Sequence, residues 1–319
     1  MQYHLSKIPG QFYLWVAIII FGASGSITRK LSEIGAMQFM NGHNPISLCN
    51  VLFVGNICAL GIMLIVYHNE LAAEKIAQIS RSEWVNLTIV ALLGGALTPA
   101  AIFHALTLTP VNNIILLGRL EVPIVLLLSK FILGAKLEKR QKVGIAIVLS
   151  GVIIAVGRNS STYPLSGFTL GEGELLTIAA AIFSSISILI SKRNLASVSV
   201  GIYGIFRTGL GSIVFLFLGT LLYGHQHFGE AFSPFLWKWM LVYGAIIVVV
   251  GQSCWIKGFR ESPISTSAII SCFHPIAGML FAYWILAELP TMSQVIGGLV
   301  LLVGLLLSQS RVNKIVTSH

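Results

Sequence analysis

Apolar residues run along this chain in blocks of about 20, separated by short stretches rich in Lys, Arg, Gly, Pro and Ser. A helix of that length crosses the roughly 30 Å hydrocarbon core of a bilayer and satisfies its own backbone there. Ten such blocks are read, at 12–30, 46–67, 84–106, 110–132, 141–157, 173–191, 201–223, 237–257, 263–286 and 292–309. The longest connections, near 68–83, 158–172 and 224–236, are too short to be domains. The pattern predicts an all-α polytopic membrane protein whose work is done within its helix bundle.

Composition excludes the other classes. Of 319 residues, 55% are hydrophobic and only 10% charged, and the mean hydropathy is +0.87. A soluble domain carries about a quarter charged residues, so neither a soluble globule nor a disordered chain fits. The cysteines Cys49, Cys58, Cys254 and Cys272 fall in apolar blocks without CxxC spacing, and read as small buried hydrophobes.

The formal charge of +9 is spread over the turns between blocks, with no basic face and no aromatic interleaving, so no nucleic-acid partner is expected. It instead encodes topology. With ten spans both termini share a side, and that side holds Lys7, Lys75, Arg81, Lys136, Lys139, Arg140, Lys142, Lys192, Arg193, Lys257, Arg260, Arg311 and Lys314. The other side holds Arg29, Lys30, Arg158 and Lys238. Thirteen cations against four place both termini in the cytoplasm.

The chain also repeats itself. Pro110 and Pro263 are 153 residues apart, as are Gly144 and Gly297, and Gly151 and Gly304; Pro123 and Pro275 are 152 apart. The segment 19–30, IIFGASGSITRK, resembles 181–193, AIFSSISILISKR. The first block mimics a secretory signal, with Lys7 before it and Ala23-Ser24-Gly25 near its end, but this later counterpart argues that it is retained. The reading is a first five-helix repeat over 1–157, a linker loop over 158–172 and a second repeat over 173–319. Five spans per repeat is odd, so the second copy is inverted, an arrangement that supports alternating access.

After Pro275 comes Leu286-Ala287-Glu288 and then Gln294-Val295-Ile296-Gly297. After Pro123 comes Leu133-Gly134 and then Gln141-Lys142-Val143-Gly144, with Lys136 where an acid would stand. These motifs and the two five-helix halves resemble the EamA-type transporters of the drug/metabolite transporter superfamily, over nearly the whole chain. The resemblance implies a non-enzymatic carrier of small polar metabolites, with export of amino acids or related solutes as the leading reading. Uptake or multidrug efflux on the same fold is the alternative. A bacterial plasma membrane is the expected home, and a homodimer is not required.

Ionisable residues inside a bilayer are functional candidates by default. Arg119 and Glu121 lie in the fourth block and Arg207 in the seventh, while Lys130 is near enough to an end to snorkel. Asn112 and Arg119 share a helix face, as do Ser267, Ser271 and His274 in the ninth block, where Ser271 is the repeat counterpart of Arg119. The expected site is a central cavity where these faces meet, with Arg119 gripping an anionic group. The competing reading makes Arg119 and Glu121 structural charges; at i,i+2 they do not pair with each other. His274, next to Pro275, is either a hydrogen-bonded core residue or a group for proton coupling.

Gly22-Ala23-Ser24-Gly25 is similar to the nucleophile motif of rhomboid proteases, which makes an intramembrane serine protease using Ser24 the remote reading from another class. No metal-ligand spacing and no Walker sequence occur, so no cofactor is expected.

Overall fold

The computed structural model describes residues 9–37, 48–134, 137–156, 170–195, 197–223 and 234–309. Among them no strand occurs. The first half contains α1 (Gly10–Ala36), α2 (Leu48–Val66), the short α3 (Ala73–Ala77), α4 (Arg81–Val90) and α5 (Thr98–Leu108). It continues with α6 (Val111–Leu117), α7 (Glu121–Leu133) and α8 (Lys139–Val156). The second half contains α9 (Glu172–Asn194), α10 (Val200–Tyr223), α11 (Pro234–Tyr243) and α12 (Gln252–Glu261). It ends with α13 (Ile264–Ser271), α14 (His274–Leu286) and α15 (Met292–Gln309).

Among the described residues, five helical stretches are long and apolar enough to cross a membrane: Gly10–Ala36, Arg81–Leu108, Glu172–Asn194, Val200–Leu221 and Ile269–Leu286. Asn50–Val66, Leu236–Ile247 and Met292–Ser308 are shorter apolar helices. Large side chains such as Phe131, Phe217 and Trp284 project from the bundle into the surroundings. Such a surface would aggregate in water and is at home in lipid. The molecule is a polytopic membrane protein.

Four of the expected continuous blocks are not regular helices. The block 110–132 is interrupted by a 3-10 turn at Gly118–Leu120, and 263–286 breaks between Ser271 and His274. The physical cause is the same in both. Pro123 has no N–H for the carbonyl of Arg119, nor Pro275 for that of Ser271, and each ring crowds the preceding turn. The backbone responds with tighter bonds, Cys272 N to Ile269 O at 3.1 Å and Phe273 N to Ile270 O at 3.0 Å. In the third and eighth blocks the deviation runs the other way, with π-helical stretches at Ala91–Leu97 and Gly244–Gly251.

These features recur at the spacing of the sequence repeat. Pro110 (φ −55°, ψ 141°) and Pro263 (φ −56°, ψ 142°) open α6 and α13. Gly134 (φ 66°) and Ala287 (φ 55°), 153 apart, end α7 and α14 in the left-handed region. Seven residues further on, Gln141 accepts from Glu138 N at 3.0 Å and Gln294 accepts from Thr291 N at 2.8 Å.

Glycine lets α8 and α15 approach to backbone contact. A Cβ on Gly151 would lie 2.6 Å from Leu301 N, and one on Gly297 would lie 2.6 Å from Ala155 N. Without a hydrophobic drive between helices in lipid, such close packing is what holds them together. Val148, Val152, Leu301 and Leu305 extend this seam and meet Leu116 and Leu117 of α6.

Each half lends its first helix to the other. α1 packs on α12, α13 and α14, and α9 packs on α5, α6 and α7. Gly22 sits against Ala277, and Gly173 against Thr109. The bundle therefore has two ends. Arg29, Pro110, Glu174, Glu288 and Gln294 gather at the Pro110 end, while Tyr13, Asn86, Asn194 and Lys257 lie toward the Pro263 end.

Candidate functional site

Two of the expected residues meet where the helix breaks lie. Arg119, in the 3-10 turn, places Nη2 2.7 Å from Nδ1 of His274, the first residue of α14. A guanidinium only donates, so Nδ1 is the acceptor and the ring's own proton sits on Nε2. Arg119 Nε is buried without a hydrogen-bond partner among the described residues. The ion pairs among those residues, Arg29–Glu33 at 3.6 Å and Lys30–Glu33 at 3.4 Å, lie elsewhere. A guanidinium held by one neutral imidazole, with a donor left over, retains capacity for an anion.

Other expected residues are occupied nearby or stand apart. Glu121 accepts from Ser184 Oγ at 2.7 Å, and its carbonyl from Ser185 Oγ at 3.2 Å, which fastens α7 to α9. Arg207 donates to Gly94 O at 2.5 Å inside the π-helical stretch, and its stem packs on Gly95. Buried Ser267 is 3.4 Å from the carbonyl of Pro263 in its own helix, and half-buried Ser271 ends α13. Asn112 lies at the Pro110 end, where its N–H donates to Glu288 Oε1 at 2.9 Å and its side-chain amide is 3.4 Å from Glu288 O. Ser24 donates to Phe21 O at 2.7 Å, and with His274 Nδ1 accepting from Arg119 the ring proton sits on Nε2, the nitrogen with which a serine dyad would take up a proton.

The family follows from comparison with known proteins. The model of the EamA-like transporter family matches residues 8–157 and again 171–309. This chain belongs to the EamA-like transporter family. It is 40% identical over 309 residues to an uncharacterized transporter, sll1164, of Synechocystis sp., covering 96% of this chain and 88% of that one. An uncharacterized transporter of Methanothermobacter thermautotrophicus is 25% identical over 238 residues, 72% of this chain and 66% of that one. One solved crystal structure shares the fold with a TM-score of 0.58 at 16% identity, covering 94% of this chain and 96% of that chain. The chain is thus a transporter-family membrane protein, which fits its motifs around Pro123 and Pro275.

Within this EamA-type bundle, sequence reasoning passed over a second polar cluster. At the Pro110 end, Glu174 of α9 accepts from Thr109 Oγ1 and from Asn113 Nδ2, the latter at 2.8 Å. Asn113 Oδ1 in turn accepts from Gln294 Nε2 at 2.7 Å, and Arg29 Nη1 donates to Thr109 O at 2.9 Å. The available signal was the acid of the Leu286-Ala287-Glu288 motif, whose carboxylate also accepts from Val111 N at 3.0 Å. A small cavity between α1 and α5, lined by Thr28, Arg29, Ser32, Glu33, Phe103 and Thr107, lies beside this cluster.

Proposed function

We propose that this protein is a secondary or facilitative transporter that moves a small polar organic solute by alternating access, and that Arg119 holds the anionic group of that solute. The observation that carries the reading is the Arg119–His274 contact, made across the two halves at the two proline-induced helix breaks. Discontinuous helices at a repeat interface are where transporters of this kind form their sites. A carboxylate would accept two parallel hydrogen bonds from one edge of the guanidinium, Nε–H and an Nη–H, and so engage the Nε left without a partner among the described residues. His274, released from Arg119, would then be available to bind the solute or to carry a proton.

Ten spans in two inverted repeats, with both termini in the cytoplasm of a bacterium, complete the reading. Ser267, Ser271 and Glu121 line or buttress the central path, and export of amino acids or related solutes is its direction. The lipid bilayer and the solute are the partners. Efflux of drugs, or uptake, on the same fold is the second reading. The test is flux of labelled amino acids and small organic acids into proteoliposomes of purified protein. Saturable flux without nucleotide is expected; a requirement for ATP would overturn the mechanism.

A further inference from the structure

The two ends of the bundle are not equivalent. α6 touches α14 and α15, helices grouped with the opposite half, as well as α5, α8 and α9. Its repeat counterpart α13 has its substantial contacts, among the described residues, with α1, α12 and α15. The counterparts of α6–α14 and α6–α15 are missing from that set. Hydrogen bonds follow the same division. At the Pro110 end they cross between the α1/α12–α15 group and the α4–α9 group: Glu288 to the N–H groups of Val111 and Asn112, Gln294 to Asn113, and Arg29 to Thr109. At the Pro263 end, those among the described residues stay within one group. Lys257 donates to Tyr13 at 2.8 Å, Asn194 to Asn86 at 3.0 Å, and Arg193 to Ile132 O at 3.1 Å.

The sequence carries the same asymmetry. Stepping back 153 residues from Glu288 reaches Ala135, followed by Lys136. The acid that grips the start of α6 therefore has no acidic counterpart to grip the start of α13.

We propose that Glu288 is a one-sided gate latch: its carboxylate, clasping the Val111 and Asn112 N–H groups, biases the transporter toward the state closed at the Pro110 end. The latch consists of two charge-assisted bonds across a seam, which must break before that end opens. It rests on the alternating-access reading, and it is independent of what Arg119 binds. Under the topology proposed above, the resting protein faces the cytoplasm, the side from which an exporter loads.

The seam below the latch offers a reporter. Ile115 packs against the backbone of Gly278, where a Cβ would lie 2.7 Å from its Cδ1. With the four native cysteines replaced, Ile115→Cys is assayed in detergent by its rate of reaction with a charged methanethiosulfonate. Glu288→Gln loses the negative charge and should raise that rate on the order of tenfold, with the melting temperature close to that of the parent. Glu288→Ala, which also removes the oxygens that accept from the Val111 and Asn112 N–H groups, should raise that rate further. Unchanged rates in both variants, each folded by melting, would overturn the latch. Because neither measurement uses a solute, failure of the solute panel leaves this result standing, and an absent latch leaves the solute assignment standing.

Discussion

Ala287 shows how a single position can depart from what its backbone asks for. Its φ of 55° lies in the left-handed region, where Gly134 stands in the first half. A Cβ there crowds the neighbouring carbonyl, at a cost of roughly 1 kcal/mol, while glycine loses somewhat more entropy on folding. Ala287→Gly should therefore stabilise the protein by about 0.5–1 kcal/mol, read as a rise in melting temperature in detergent. Side chains at this scale also sort by employment. Arg207 is spent on the Gly94 carbonyl and Glu121 on Ser184, whereas Arg119 keeps an unpartnered Nε. Buried charge alone picked out all three from the sequence. What separates them is a neighbour's carbonyl or hydroxyl, which hydropathy does not encode.

At the scale of elements, the prolines and glycines carry the argument. Gly151 and Gly297 face each other's helix at backbone distance, so Gly151→Val should overpack the α8–α15 seam and lower stability by about 1–3 kcal/mol, measured by denaturation in detergent. Pro123 does something different. Replacing it with Ala supplies the N–H that the Arg119 carbonyl lacks, regularises α6–α7 and moves the guanidinium away from His274. Pro123→Ala should reduce transport on the order of tenfold while melting stays level or rises. These elements were legible in part because proline and glycine act locally: Pro110 and Pro263 stand at block starts that the structure bears, whereas the blocks holding Pro123 and Pro275 read as continuous and are broken in the fold. The π-helical stretches were not legible. Ala91–Leu97 reads as one more apolar run, and only Gly94-Gly95 hinted that another backbone, here around Arg207, comes close. Asn112 was placed on the Arg119 stripe by periodicity, yet the needs of a helix start tie it to Glu288, 176 residues away. The Glu174–Asn113–Gln294 cluster escaped for the same reason, since it joins three blocks that a linear reading treats separately.

The whole molecule is two helix groups joined along the α8–α15 seam, by the Arg119–His274 contact and by hydrogen bonds at the Pro110 end. Its membership in a transporter family and its apolar exterior say what kind of machine it is; the unpaired guanidinium donor says what chemistry it would recognise. That recognition is the central claim, and one paired measurement tests it most directly. Wild type and Arg119→Lys are melted with and without a panel of amino acids and small organic anions, at matched baseline stability. An ammonium cannot reproduce the planar fork, so a solute that raises the wild-type melting temperature should leave Arg119→Lys unmoved. Equal shifts in the two proteins would contradict the account and make Arg119 a structural charge.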